Sequence, residues 1–111
     1  MLANYPGWLT VPALCLAEVA HLTGTRLGWE SEVRLLAIFQ AAEMGLEHVQ
    51  GADFSRISEL VARYRDLPLG TVDASIVAAA ERLGVTEVAT LDRRHFSVVR
   101  PRHVERFTLL P

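Results

Sequence analysis

The sequence predicts an α/β fold built on a parallel sheet, and three observations carry that prediction. Strand-like apolar runs alternate with helical stretches along the chain, the order from which parallel sheets with crossover helices are made. Prolines and glycines punctuate the runs at Pro6-Gly7, Pro12, Gly24, Gly45 and Pro68 to Gly70. Finally, the stretch Thr71 to Leu83 followed by Thr86 to Leu91 is a helix and a strand of matching reach. The helix carries the chain about 20 Å at ~1.5 Å per residue, and the strand returns it by about 20 Å at ~3.3 Å per residue.

The elements follow in order. Asn4 to Gly7 reads as a turn and Trp8 to Val11 as a short buried strand. Pro12 suits the first turn of a helix, where its missing N–H would be unpaired anyway. That helix runs to about Leu22, with Gly24 near its stop. It is apolar on nearly every side, with Ala13, Leu14, Cys15, Leu16, Ala17, Val19, Ala20 and Leu22, so it is expected to be buried. Glu30 to Glu43 is amphipathic, and Gly45 ends it. Leu46 to Gln50 is a strand. Ala52 or Asp53 opens a further helix with Phe54, Ile57, Leu60, Val61 and Tyr64 on its apolar stripe. Asp66-Leu-Pro-Leu-Gly70 breaks that helix. Phe107 to Leu110 makes a last short strand.

The 111 residues are enough for one domain, 1–111, with a modest core, and 50% of them are hydrophobic. No apolar run approaches the ~20 residues of a membrane span, and the N-terminus lacks the pattern of a secretory signal. The single cysteine, Cys15, has no partner for an internal disulfide and reads as a small buried hydrophobe. A reducing cytoplasm fits. Net charge is −2, so the whole chain is not an electrostatic magnet for nucleic acid. The basic residues are all arginine, and Arg93, Arg94, Arg100, Arg102 and Arg106 cluster in the tail with His95 and His103. That tail is either a solvated basic face or a set of phosphate contacts, since Arg offers a two-pronged fork to phosphate oxygens.

Three carboxylates bear on chemistry. Asp73 lies in the first turn of its helix, and Asp92, 19 positions on, follows the next strand. The matched lengths between them return both to the C-terminal edge of the sheet, where ligands bind in open α/β folds. Glu18 lies about two turns into a helix that starts from the same edge. Singly each has a plain reading: a boundary Glu paired to Arg, a helix N-terminal acid, a turn residue. Together they point further. Two carboxylates about 5 Å apart repel by roughly 3 kcal/mol at an effective dielectric near 20, so three in one cleft call for protons or a cation. An all-oxygen donor set suits Mg²⁺ or Mn²⁺, and such ions support phosphodiester hydrolysis. Glu18-Val-Ala-His21 has the spacing of di-iron bundles, but the second copy that those need is absent from the sequence.

The segments Val11-Pro-Ala-Leu-Cys-Leu-Ala-Glu18, Asp66-Leu-Pro-Leu-Gly-Thr-Val-Asp73-Ala-Ser and Val88-Ala-Thr-Leu-Asp92-Arg-Arg-His-Phe96 resemble the PIN-domain family. More narrowly, they resemble the VapC-type toxins of bacterial toxin–antitoxin pairs. The resemblance covers essentially the whole chain. It implies a PIN-like three-layer sandwich and a Mg²⁺- or Mn²⁺-dependent endoribonuclease. It also implies an RNA substrate, a homodimer and a VapB-like antitoxin that blocks the cleft. Glu18, Asp73 and Asp92 match three of the family's acidic catalytic and metal-binding positions, and Thr90 matches a polar position beside the site. Arg93 and Arg94 follow as contacts to RNA phosphate. Family members open with a strand ending in Asp-Thr or Asp-Ser and a helix, whereas here no Asp precedes Asp53. The expectation is an N-terminally shortened domain whose sheet lacks its first, central strand and whose cleavage activity is low. An inactive relative that acts only in antitoxin binding or dimerisation is the other reading of that departure.

Overall fold

The computed structural model describes residues 2–4, 8–41, 44–90 and 93–110, with the side chains of Ala3, Asn4 and Trp8 left out. In chain order the elements are β1 (Leu2–Asn4), β2 (Trp8–Pro12), α1 (Ala13–Leu27), α2 (Trp29–Gln40), β3 (Gly45–Glu47), α3 (Gly51–Arg63), α4 (Thr71–Leu83), β4 (Glu87–Ala89), α5 (Arg93–Val98) and β5 (Thr108–Leu110). The strands form one sheet in the order β3-β2-β1-β4-β5.

β3 is parallel to β2, and β5 is parallel to β4. The two pairs are joined through β1, which is antiparallel to both β2 and β4. The expected parallel pairs are present, and the central place, expected to be vacant, is filled by a short antiparallel strand. The physical reason is the cost of unpaired backbone groups: β2 and β4 would otherwise face each other with open N–H and C=O groups in the core. Residues 2–4 supply partners to both, Leu2 pairing with Thr10 on one side and Val88 on the other. Leu2 also gives the core one of its fully buried side chains. Because β2 and β4 are each antiparallel to β1, they run in the same direction as each other. Four strands thus present their C-terminal ends along one edge.

The core is a single cluster. It joins Leu2, Ile57 and Leu60 of α3, a run of α4, Val88, and Phe96, Val99 and Phe107 of the C-terminal segment. In α4 every residue from Ala74 to Ala80 is buried. Small alanine side chains let neighbouring elements close on this helix from several directions. Helix α1 was expected to play that part, and it does not: none of its residues is buried. It packs chiefly on α2 and touches α4 along a shorter stretch. Its end also lies further on than expected. Gly24 is inside the helix, where a Cβ would come within 2.5 Å of Glu32 Oε1 of α2, the end of a flexible side chain that can swing aside. The stop is at Gly28, whose φ of 97° suits glycine.

Elsewhere the expected elements are present at slightly shifted bounds. α3 begins at Gly51, with the Gln50 N–H donating to Asp53 Oδ2 at 3.0 Å across its first turn. α4 has the expected bounds. α5 was not foreseen, and neither was β1. The turn expected at Asn4 to Gly7 falls partly on β1, and its residues 5–7 lie outside the described ones.

Candidate active site

The C-terminal edge of the co-directed strands is where the sequence placed its site, and three connections meet there. β2 ends at Pro12 and leads directly into α1, which carries Glu18. β4 ends at Ala89, and α5 starts at Arg93. α4 begins at Thr71 and carries Asp73 in its first turn. The clearest contact at this edge joins α4 to α5: His95 Nδ1 stands 2.6 Å from Asp73 Oδ2. A carboxylate oxygen accepts, so the ring N–H donates from Nδ1.

Glu18 is exposed and takes no hydrogen bond or ion pair among the described residues. The plain reading of a boundary Glu neutralised by arginine is therefore not what the fold shows. Cys15, one helical turn before Glu18, lies within electrostatic reach of both acids. Burial pushes its thiol up, and the charges of Glu18 and Asp73 push it further. Asp92 lies outside the described residues, as does Leu91. Thr90 is half-buried, and its N–H donates to the Leu110 carbonyl at 2.9 Å, fixing the end of β4 to β5. Arg93 and Arg94 are exposed at the start of α5. Among the described residues no three His, Cys, Asp or Glu side chains form a ready cage for a metal ion.

The acids at the other end of α4 are in a different electrical state. Arg82 donates to Asp53 at 3.0 Å and to Glu47 at 2.6 Å. Arg56 makes a bidentate pair with Glu81, both bonds 2.8 Å, and a third bond to Glu59. Arg102 closes the network on Glu59 with its side chain and on Glu81 with its backbone N–H. Burial alone would raise the Asp53 and Glu81 carboxyls, but arginine side-chain hydrogen bonds, a backbone N–H and the arginine charges together outweigh it and hold both below their ordinary values. A cleft of about 420 Å³ opens here between Asp53, Arg56, Glu81, Arg82, Arg102 and His103. Its charges are already satisfied by one another. It also stands about 12 Å from Asp73 along the helix axis, at ~1.5 Å per residue, so it is not the site of the chemistry.

Part of the basic tail is thus structural. Arg102 is bound into the acidic network, His103 Nε2 donates to the Val85 carbonyl at 2.6 Å, and the Arg100 N–H donates to the Tyr64 hydroxyl at 2.9 Å. The residue that the sequence reading counted only as part of this tail is His95. The signal was its place three residues after Asp92, one turn into a helix that the sequence reading did not foresee.

The PIN domain family model matches residues 2–100. Ribonuclease VapC26 of Mycobacterium tuberculosis is 34% identical over 103 residues, which is 93% of this chain and 76% of that protein. The crystal structure of Mycobacterium tuberculosis VapC20, a sarcin-ricin loop cleaving toxin, superimposes with a TM-score of 0.77. It covers 89% of this chain and 75% of the other at 23% identity, a likeness of fold. With the family model spanning nearly all of the sequence and a ribonuclease relative 34% identical over 93% of it, this chain belongs to the PIN-domain family, among its VapC-type ribonuclease toxins.

Proposed function

We propose that the chain cleaves RNA phosphodiester bonds at the sheet edge, using Glu18, Asp73 and Asp92 as the carboxylates of a Mg²⁺ or Mn²⁺ site. The observation that carries this reading is a contrast in pairing. The acids of α3 and of the C-terminal half of α4 are matched by Arg56, Arg82 and Arg102, whereas Glu18 and Asp73 take no arginine among the described residues. Carboxylate oxygens that no arginine occupies are donors suited to a hard divalent cation. When bound, such an ion polarises the phosphate and lowers the pKa of a water. Glu18 and Asp73 would hold it from α1 and α4, with Asp92, which follows β4 in the sequence, as the third carboxylate. Thr90 supports the end of β4 beside them. Arg93 and Arg94, exposed at the start of α5, would grip flanking phosphates with two-pronged hydrogen bonds.

The substrate class is single-stranded or loop RNA, and a cognate VapB-like antitoxin would cover the cleft. A cytoplasmic site of action follows from that substrate, and no helix among the described residues is long and apolar enough to cross a membrane. A homodimer is supported by a solvent-facing stripe on α2. Trp29 is 70% exposed, Val33 54% and Leu36 46%, and their spacing puts all three on one helical face. An apolar stripe of this kind marks a partner surface.

The test is calorimetric titration of Mn²⁺ into the folded protein, beside cleavage of a loop RNA with and without EDTA. Wild type should bind the ion, and Asp73→Asn and Asp92→Asn should lose both binding and EDTA-sensitive cleavage. A folded wild-type protein that binds no Mn²⁺ at millimolar ion, or an Asp73→Asn variant that binds it unchanged, overturns the reading.

A further inference from the structure

We propose that His95 is a positioning residue that holds the Asp73 carboxylate in the orientation its site needs, through the hydrogen bond from Nδ1–H to Oδ2. The proposal rests on the assignment of Asp73 to the cation site and adds a second layer to it. The contact is short, 2.6 Å, and partly buried: the His95 side chain is 17% exposed and that of Asp73 29%. It occupies one carboxylate oxygen only. Oδ1 takes no hydrogen bond among the described residues, so one oxygen is fixed by the protein and the other remains available as a donor. Hydrogen bonds of this kind restrict the rotation of a ligating carboxylate, and their loss typically costs 10–100-fold in metal affinity or activity.

Both partners are anchored from behind. Asp73 precedes the buried run Ala74 to Ala80, so its backbone is set by the most deeply buried helix of the core. His95 precedes Phe96, 3% exposed, whose ring meets Phe107 edge-on with centroids 6.4 Å apart. The Val99 N–H returns to the His95 carbonyl at 3.1 Å, and Val99 is itself fully buried. The histidine is therefore delivered to Asp73 by a packed helix, which is what a positioning group requires. The same helix opens one residue after Asp92, so the clip between His95 and Asp73 also ties the α5 side of the edge to the α4 side.

The test uses replacements that separate the two ring nitrogens. Asparagine places an N–H donor near the position of Nδ1, whereas glutamine mimics Nε2. His95→Ala and His95→Gln should weaken Mn²⁺ binding and lower kcat on a loop RNA by about 10–100-fold, with KM nearly unchanged. His95→Asn should recover most of both. Asp73→Asn is run alongside, and all variants are checked by thermal melting without metal. If Asp73→Asn loses Mn²⁺ while His95→Ala binds it as wild type does, the site stands and the role of His95 is refuted. A lower melting temperature with unchanged Mn²⁺ affinity would make the contact a structural clip and refute the role as well, as would rescue by glutamine but not asparagine. If Asp73→Asn binds Mn²⁺ normally, the site itself is misassigned and the proposal falls with it.

Discussion

Helices α1 and α4 are similar in length and both rich in small apolar residues, yet one has no buried residue and the other buries seven in succession. The difference teaches that apolar content does not decide burial; the number of neighbours does. α4 lies against α3, α1 and the sheet, and its C-terminal half is locked by Arg56 and Arg82 to acids on itself, α3 and β3. α1 has α2 as its main neighbour, and α2 has no buried residue either. One half of the molecule is a finished core with its charges paired. The other keeps apolar surface on α2 and the exposed Glu18 of α1 in contact with solvent.

The sharpest way to break this comparison is to remove a pairing arginine. Arg56 is 8% exposed and Glu81 11%, so Arg56→Ala leaves a carboxylate buried without its partner. A loss of about 3–5 kcal/mol is expected from a broken buried ion pair, read by urea denaturation. Arg34→Ala on α2, which loses only an exposed bond to Ser31, should change stability by less than about 0.5 kcal/mol. Equal effects would mean that the two halves are not differently built. Leu60→Ala comes next. Leu60 is fully buried in the core cluster, and removing it should cost about 3 kcal/mol through lost transfer energy and a residual cavity.

Acid should act on the same half. Asp53 and Glu81 are held below their ordinary values of 3.8 and 4.5, burial opposing the shift and the hydrogen bonds and arginine charges together outweighing it. The unfolded chain therefore takes up protons at these positions before the folded one does. The stability that they contribute is complete above about pH 4.5 and is lost as pH falls through 3.8 towards the depressed folded values. Denaturation midpoints measured from pH 6 down to about pH 3 should fall across that window. Arg56→Ala should flatten the part due to Glu81, and a wild-type profile that is flat below pH 4.5 would remove the paired network from the account of stability.

Legibility of the sequence followed the same division. The bounds of α4 were readable because Pro68, Gly70 and Gly84 bracket a helical pattern, and the shared edge followed from the length of that helix and the strand after it. β1 was not readable. Three residues at the start of a chain carry no periodicity, and their place is set by the vacant backbone partners of β2 and β4, a tertiary fact. The exposure of α1 was misread because an all-apolar helix looks the same whether the protein or a partner covers it. Glu18 and Asp73, proposed above for the site, were singled out from spacing and resemblance. His95 was not singled out, because its contact depends on α5, a helix of six residues with too little pattern to announce itself.

The smallest expected effect on stability sharpens the comparison most on the partner side. Trp29, Val33 and Leu36 form one stripe on α2 and are 70%, 54% and 46% exposed. If that stripe serves a second copy of the chain, replacing all three with glutamine should leave the monomer's stability within about 1 kcal/mol, since little buried surface is lost. The same variant should shift the molecular mass in light scattering from dimer to monomer, and wild type should melt at a temperature that depends on its concentration. Glutamine keeps helix propensity close to that of the residues replaced, so a loss of α2 itself is not built into the test. An unfolded triple variant would show that the stripe is core after all. A wild-type protein that stays monomeric at all concentrations would leave the stripe to some partner other than a second copy, and would refute the dimer.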